Sequence, residues 1–190
     1  MSKLHFRYGA MESAKSAHLL LIEHNYMTKG GRCLLLTAAV DNRYGEGVIA
    51  SRVGLSKPAK TFTPETDLFD VVYEYRESVS DDELGAVLID EAQFLKGEQV
   101  QDLHRAVHTL NVPVICFGLR SDFQGNPFEG SAMLLSLAED LEELKNVCAC
   151  KSKATMNMRV DAQGNRVRSG PQVLIGDATY RPVCGACFYE

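Results

Sequence analysis

Three groups of residues in this chain have types and spacings that could do chemistry. Gly9-Ala-Met-Glu-Ser-Ala-Lys-Ser16 nearly spells GxxxxGK[ST], with Ala14 in the place of the second glycine. In such a loop the backbone N–H groups and a helix N-terminus face a triphosphate such as that of ATP, Lys15 meets its outer oxygens, and the Ser16 hydroxyl holds Mg2+. An ordinary turn with a solvated lysine has the same spelling. If position 14 needs a positive φ, the alanine methyl costs about 1–2 kcal/mol and weakens ATP binding. Val87-Leu-Ile-Asp-Glu-Ala-Gln-Phe94 sets Asp90 and Glu91 at the carboxyl end of an apolar strand, where ligands collect in open α/β sheets. Asp90 can hold magnesium through water, and Glu91 can accept the proton of an attacking hydroxyl. An acidic strand-to-loop transition on a surface reads the same way. Finally, Cys148-Ala-Cys150 and Cys184-Gly-Ala-Cys187 offer four thiolates, the usual set for a closed structural Zn2+ with no open position for catalysis. Free or redox-active thiols are the alternative. A nucleic-acid zinc ribbon is another, suggested by Arg159, Arg166, Arg168 and Arg181, although such charges usually decorate a solvated face.

The elements that must position these groups alternate. A strand over residues 4–8 ends at Gly9, and apolar spacing predicts a helix over 14–26 that stops at Gly30-Gly31. Residues 32–40 read as a buried strand, and 41–60, polar and rich in Gly, Ser and Lys, as a mobile loop. Further strands are predicted at 71–75, 85–89 and 112–118, with a helix over 97–110 between the last two. That order implies an α/β fold with a mainly parallel sheet. Beyond Cys148 turn-forming residues dominate and 172–175 is a short strand candidate, so a small zinc-held lobe is expected there. The predicted division is a nucleotide-binding domain over residues 1–145 and a zinc-binding lobe over 146–190.

Composition narrows the partners. The chain has 190 residues, 45% of them hydrophobic, enough for one sizeable core with a small appended lobe. A net charge of -5 argues against general nucleic-acid affinity, which needs a basic surface, and favours a small-molecule substrate. No run of about 18 apolar residues is present, so no membrane partner is expected and the chain reads as soluble and untargeted. Cys33 and Cys116 fall in apolar runs and are expected to be buried thiols without a chemical role.

Taken in order, YGAMESAKS, TAAVDNRYG, SRVGLSKPAK, VLIDEAQFL, CFGLRSDFQGNPFEGS and the four cysteines resemble the type II thymidine kinase family over nearly the whole chain. The likeness is strongest to its bacterial branch. The resemblance implies a RecA-like phosphate-loop domain and a zinc lobe whose loop closes over the nucleoside. It further implies transfer of the γ-phosphate of ATP to the 5'-hydroxyl of thymidine, and also of deoxyuridine, in nucleotide salvage. It assigns Glu91 as catalytic base and Asp90 as the magnesium-associated acid. Gly9, Ala10, Met11, Glu12, Ser13, Ala14, Lys15 and Ser16 become the phosphate loop. Asp41 and Arg43 lie near the phosphates, Arg43 stabilising transferring charge. Met11, Phe94, Leu119, Phe123 and Phe128 surround the base, and Met156, Asn157, Val173, Ile175 and Tyr180 align with the closing segment whose main chain reads its edge. The family also implies a cytoplasmic homotetramer inhibited by dTTP. This sequence departs from the family at Ala14, at Ala17, at Gly185, and by one residue between Gly176 and Tyr180. Two other readings follow: a kinase-like protein that binds nucleoside or dTTP with weak or lost transfer because of Ala14, and a nucleic-acid-stimulated ATPase.

Overall fold

In the computed structural model, which describes residues 1–80, 85–174 and 179–190, six strands form one sheet that is parallel throughout. In chain order the elements are β1 (Leu4–Tyr8), α1 (Lys15–Met27), β2 (Arg32–Ala38), β3 (Val48–Ala50), β4 (Ser56–Pro58), β5 (Lys60–Phe62), α2 (Leu68–Glu77) and β6 (Gly85–Ile89). A single 3-10 turn (Ala92–Phe94) leads to α3 (Gly97–Leu110), β7 (Val114–Gly118), α4 (Glu129–Leu137) and β8 (Asp140–Glu143). The sheet order is β5-β2-β6-β7-β1-β8. Its central strands are buried on both faces, which is why they read as unbroken apolar runs rather than alternating ones. Val87, Ile89, Val114 and Cys116 face α2, α3 and α4, whereas Ala86, Leu88, Ile115 and Phe117 face α1. The sheet is therefore covered by helices on both sides and its loops emerge at the ends.

The rest is a small antiparallel lobe: β9 (Asn146–Val147) pairs with β10 (Lys153–Ala154), and β11 (Met156–Val160) lies between β12 (Arg166–Val167) and β13 (Thr179–Val183), followed by α5 (Gly185–Tyr189). Its core consists of Cys148, Ala154, Val183, Cys184 and Phe188.

Four sequence expectations are corrected. Residues 71–75 are the middle of α2, not a strand. Their β-branched and aromatic side chains favour a strand locally, but Leu68 and Val72, one helical turn apart, are wholly buried in the core shared with α3, and Asp67 caps the helix by accepting from the Asp70 N–H at 3.0 Å. Residues 41–60 are not one irregular loop either: β3 and β4 form a hairpin anchored by buried Ile49, and Lys60 already belongs to the sheet. Residues 172–174 are not in a strand, and Ile175 lies outside the described residues. The arginine-bearing face of the lobe also differs from expectation, because Arg159 is 3% exposed.

Candidate active site

The carboxyl ends of β1, β2, β6 and β7 meet at one end of the sheet, and the chemistry-bearing residues follow them. After β1 the chain turns through Gly9–Ser16 into α1. Gly9 is required by crowding: a Cβ there would lie 2.5 Å from Ser13 Oγ and 2.6 Å from the Leu144 carbonyl. Glu12 and Ala14 both take left-handed conformations, with φ of 65° and 60°. The methyl of Ala14 therefore sits where glycine is at ease. Lys15 folds back over the turn, its Nζ donating to the Ala10 carbonyl at 2.9 Å and to Gly9 O and Ser13 Oγ at 3.3 Å. Burial lowers its pKa, with the Glu91 and Asp90 carboxylates opposing that shift.

At the end of β6, Asp90 is 4% exposed and accepts a 2.6 Å hydrogen bond from Ser16 Oγ. Burial raises its pKa and the Ser16 bond works against the rise. Two hard oxygen donors thus lie side by side beneath the turn, a donor set suited to magnesium. Glu91 follows in a left-handed conformation at φ 53°, a strained backbone for a glutamate. Its carboxylate accepts from Arg43 Nη2 at 2.7 Å and from Gln93 Nε2. Burial, and then the charge of Asp90, push its pKa up to about 7 against the pull of Arg43. Arg43 is in turn gripped by Asp41, Nε to Oδ1 and Nη2 to Oδ2 both at 2.7 Å.

Two clefts adjoin at this point. The larger, about 560 Å³, is lined by Met11, Phe94, Leu119, Phe123 and Phe128 on the sheet side and by Asn157, Val173 and Tyr180 on the lobe side. The smaller, about 220 Å³, is lined by the turn from Met11 to Ala17 and by Ser51, Arg52 and Val53 of the β3–β4 hairpin. Arg43 and Glu91 line both. Gly9 and Ala10 lie just behind, and Asp41 borders the larger cleft. Of the residues singled out from sequence for this cleft, Met156 packs instead against the lobe core. The four cysteine sulfurs lie within 4.8 Å of one another, with Cys150 and Cys184 Sγ 3.5 Å apart. Tetrahedral zinc with bonds near 2.3 Å separates its sulfurs by about 3.8 Å, so this donor set fits that ion.

The family model described as thymidine kinase matches residues 2–188. The chain belongs to the thymidine kinase family. The thymidine kinase of Chromobacterium violaceum is 51% identical over all of both chains. That of Albidiferax ferrireducens is 48% identical over all of this chain and 93% of its own length, and that of Zymomonas mobilis is 46% identical over all of this chain and 97% of its own. Among solved structures, the ATPase domain of another protein superposes with a TM-score of 0.54 at 14% identity, covering 94% of this chain and 80% of that one. That likeness concerns the fold, which is RecA-like.

In this thymidine kinase family member, sequence reasoning named Asn157 and Tyr180 for the closing segment and Arg159 for a solvated face, and missed the contacts by which they hold the lobe against the sheet. Asn157 Oδ1 accepts from the Met11 N–H and Asn146 Nδ2 donates to the Met11 carbonyl, both at 2.8 Å, so the phosphate turn is clasped from the lobe. Arg159 lies 3.7 Å over the Phe123 ring, donates to Tyr180 Oη at 2.7 Å and to the Pro171 carbonyl at 2.9 Å, and so anchors Tyr180 and the chain next to Gln172 and Val173 in the lining of the larger cleft. Gln172 Nε2 adds a bond to buried Asp122 at 3.0 Å. Arg52 of the hairpin pairs with Glu12 of the turn at 2.5 Å. One signal was available: Arg159 interrupts a strand otherwise rich in Met and Val. Nothing local says that it turns inward.

Proposed function

We propose that this chain transfers the γ-phosphate of ATP to the 5'-hydroxyl of thymidine, and also of deoxyuridine, yielding dTMP and ADP for nucleotide salvage and hence DNA synthesis. The observation that carries this reading is that the apolar cleft and the phosphate-turn cleft share Glu91 and Arg43. A hydroxyl held in the first faces a phosphate held in the second across one carboxylate and one guanidinium.

The geometry supports the following roles. Phe94, Phe128, Phe123 and Leu119 enclose the flat base together with Met11, while the main chain about Asn157 and Val173, with Tyr180, reads its edge. Glu91, with a pKa of about 7, is available to accept the 5'-hydroxyl proton as oxygen attacks phosphorus and ADP departs. Arg43, oriented by Asp41, offers its positive charge to the transferring phosphoryl group. The turn's N–H groups and Lys15 would hold the β- and γ-phosphates. Ser16 and Asp90 would hold Mg2+, which when bound neutralises phosphate charge. Zinc on Cys148, Cys150, Cys184 and Cys187 would fix the lobe and take no part in the reaction. We place the boundary between kinase domain and lobe at residues 145 and 146, after the last parallel strand. The family resemblance supports dTTP as feedback inhibitor, a homotetramer and a cytoplasmic setting, and no helix among the described residues is long and apolar enough to cross a membrane.

The test is thymidine phosphorylation with ATP and magnesium, comparing the chain with Glu91→Gln and Ala14→Gly. Turnover by the unaltered chain that nearly vanishes in Glu91→Gln supports the proposal. The strained alanine in the turn motivates a second reading, a nucleoside-binding protein that has lost transfer; turnover by Ala14→Gly alone would establish it.

A further inference from the structure

At the amino end of the sheet, far from the clefts, α3 carries His104 and His108 four residues apart and therefore on one face of the helix. Their Nε2 atoms are 3.3 Å apart, and they lie 3.1 and 2.7 Å from one oxygen, Oε1 of Glu139, which stands between α4 and β8. We propose that His104, His108 and Glu139 form a binding site for one divalent transition-metal ion, separate from the four-cysteine site.

The spacing carries the argument. A tetrahedral zinc ion bonded to imidazole nitrogen and carboxylate oxygen at about 2.0–2.2 Å sets neighbouring donors about 3.3 Å apart. The three atoms already stand close to three corners of such a tetrahedron. The side chains are 33%, 39% and 29% exposed, which leaves the fourth corner to solvent and an entry path for the ion. The carboxylate is also oriented beforehand. Its second oxygen accepts from the Leu4 N–H at 2.7 Å, and the Glu139 N–H donates to the Leu4 carbonyl at 3.0 Å. Outer hydrogen bonds of this kind fix a carboxylate ligand and sharpen a metal site. Two imidazoles and one carboxylate select zinc, copper(II), nickel or cobalt over magnesium or calcium, which prefer all-oxygen shells.

Position decides what such an ion does. Leu4 opens β1, and about 16 Å of strand separates it from the phosphate turn at Gly9. An ion here is too far away to touch the reaction. It joins α3, the α4–β8 link and the first residue of β1, three parts of the chain distant in sequence, and so stabilises the sheet's first strand against its covering helix.

The experiment uses the full chain with its cysteine zinc retained. Equilibrium dialysis against micromolar Zn2+ followed by elemental analysis is expected to give two zinc ions per chain, and one in His104→Ala/His108→Ala. Added Zn2+ should raise the Tm of the unaltered chain and leave that of the double variant unmoved, since only a ligand that binds the folded state stabilises it. Cu2+ added to the chain that carries only its cysteine zinc should show coupling to two imidazole nitrogens in its electron paramagnetic resonance spectrum. Both substitutions lie on a solvent-facing helix surface, and unchanged far-ultraviolet circular dichroism verifies folding. Glu139→Gln, which keeps the shape and removes the anionic ligand, should weaken the second equivalent at least tenfold. A single zinc in the unaltered chain, or a second zinc that survives in the double variant, overturns the proposal.

Discussion

The two walls of the larger cleft are held by different means. On the sheet wall, Asp90 and Glu91 project from β6, whose residues Ala86 to Ile89 have no solvent exposure, and their positions are set by apolar packing on both faces. On the lobe wall, Asn157, Val173 and Tyr180 rest on a five-residue core that contains two cysteines, and on the hydrogen bonds of Arg159. So small a core cannot order a lobe by apolar burial alone, and zinc held by the four cysteines would supply the missing free energy. The sheet wall should therefore govern the chemical step and the lobe wall should govern nucleoside binding.

Glu91→Gln tests the first half most severely. Loss of a positioned general base costs about 10²–10⁴-fold in rate, so kcat should fall by that amount while KM for thymidine stays within a few-fold. The pH dependence has a definite sign. The base must be deprotonated to act, so kcat/KM should rise with pH through about 7 and then level off. Arg43 favours the ionised carboxylate, so Arg43→Ala should move that inflection upward besides slowing transfer. An unchanged pH profile in Glu91→Gln would assign the proton to another group.

Cys184→Ala tests the second half. The remaining three thiolates leave the tetrahedral site incomplete, so the cysteine zinc should be lost on elemental analysis and the lobe should open to protease. Because Asn157 and Asn146 clasp Met11, binding of thymidine and phosphate should weaken together. Full zinc retention would remove the structural basis of the comparison. A milder probe is Arg159→Ala. Hydrogen bonds from a charged group contribute about 1.5–3 kcal/mol, so KM for thymidine should rise by roughly 10–100-fold with kcat less affected. Lysine should not restore it, since it lacks the planar fork that reaches Tyr180 and Pro171 together. A fall confined to kcat would show that the lobe orders the reacting atoms and does not merely retain the nucleoside.

The same contrast explains what could be read from the chain. The sheet wall was legible because its signals are local: apolar runs ending in Asp-Glu, and a Gly-to-Ser turn opening a helix. The residues grouped by those motifs do converge on adjoining clefts. In the residues themselves the lobe wall was legible only in its cysteine pairs, and it was the family resemblance that pointed to Asn157, Val173 and Tyr180. The inward turn of Arg159, the grip of Asn157 on Met11 and the ion pair of Arg52 with Glu12 join residues 21 to 146 positions apart, and no spacing reveals those side-chain directions. The hairpin over β3 and β4 was hidden for a similar reason. Its stability comes from Ile49 seated in the α1-side core and from the Lys57–Glu23 pair at 2.8 Å, both tertiary contacts. In α2, burial of one helical face overrode a strand-like local composition.

The smallest predicted effect concerns the residue where the sheet wall itself departs from ease. Ala14 exposes its methyl toward the phosphate cleft and holds φ at 60°. An L-residue in that conformation costs about 1–2 kcal/mol, part of which glycine gives back through its freer unfolded chain. Ala14→Gly should therefore stabilise the fold by about 1 kcal/mol, a rise of roughly 2–4 °C in Tm for a domain of this size. Its effect on kcat should stay within a few-fold, because the turn already has its shape and Ser16 already meets Asp90. A large gain in turnover without a gain in Tm would mean that the methyl obstructs phosphate rather than straining the backbone, and thermal melts run beside the kinase assay separate the two.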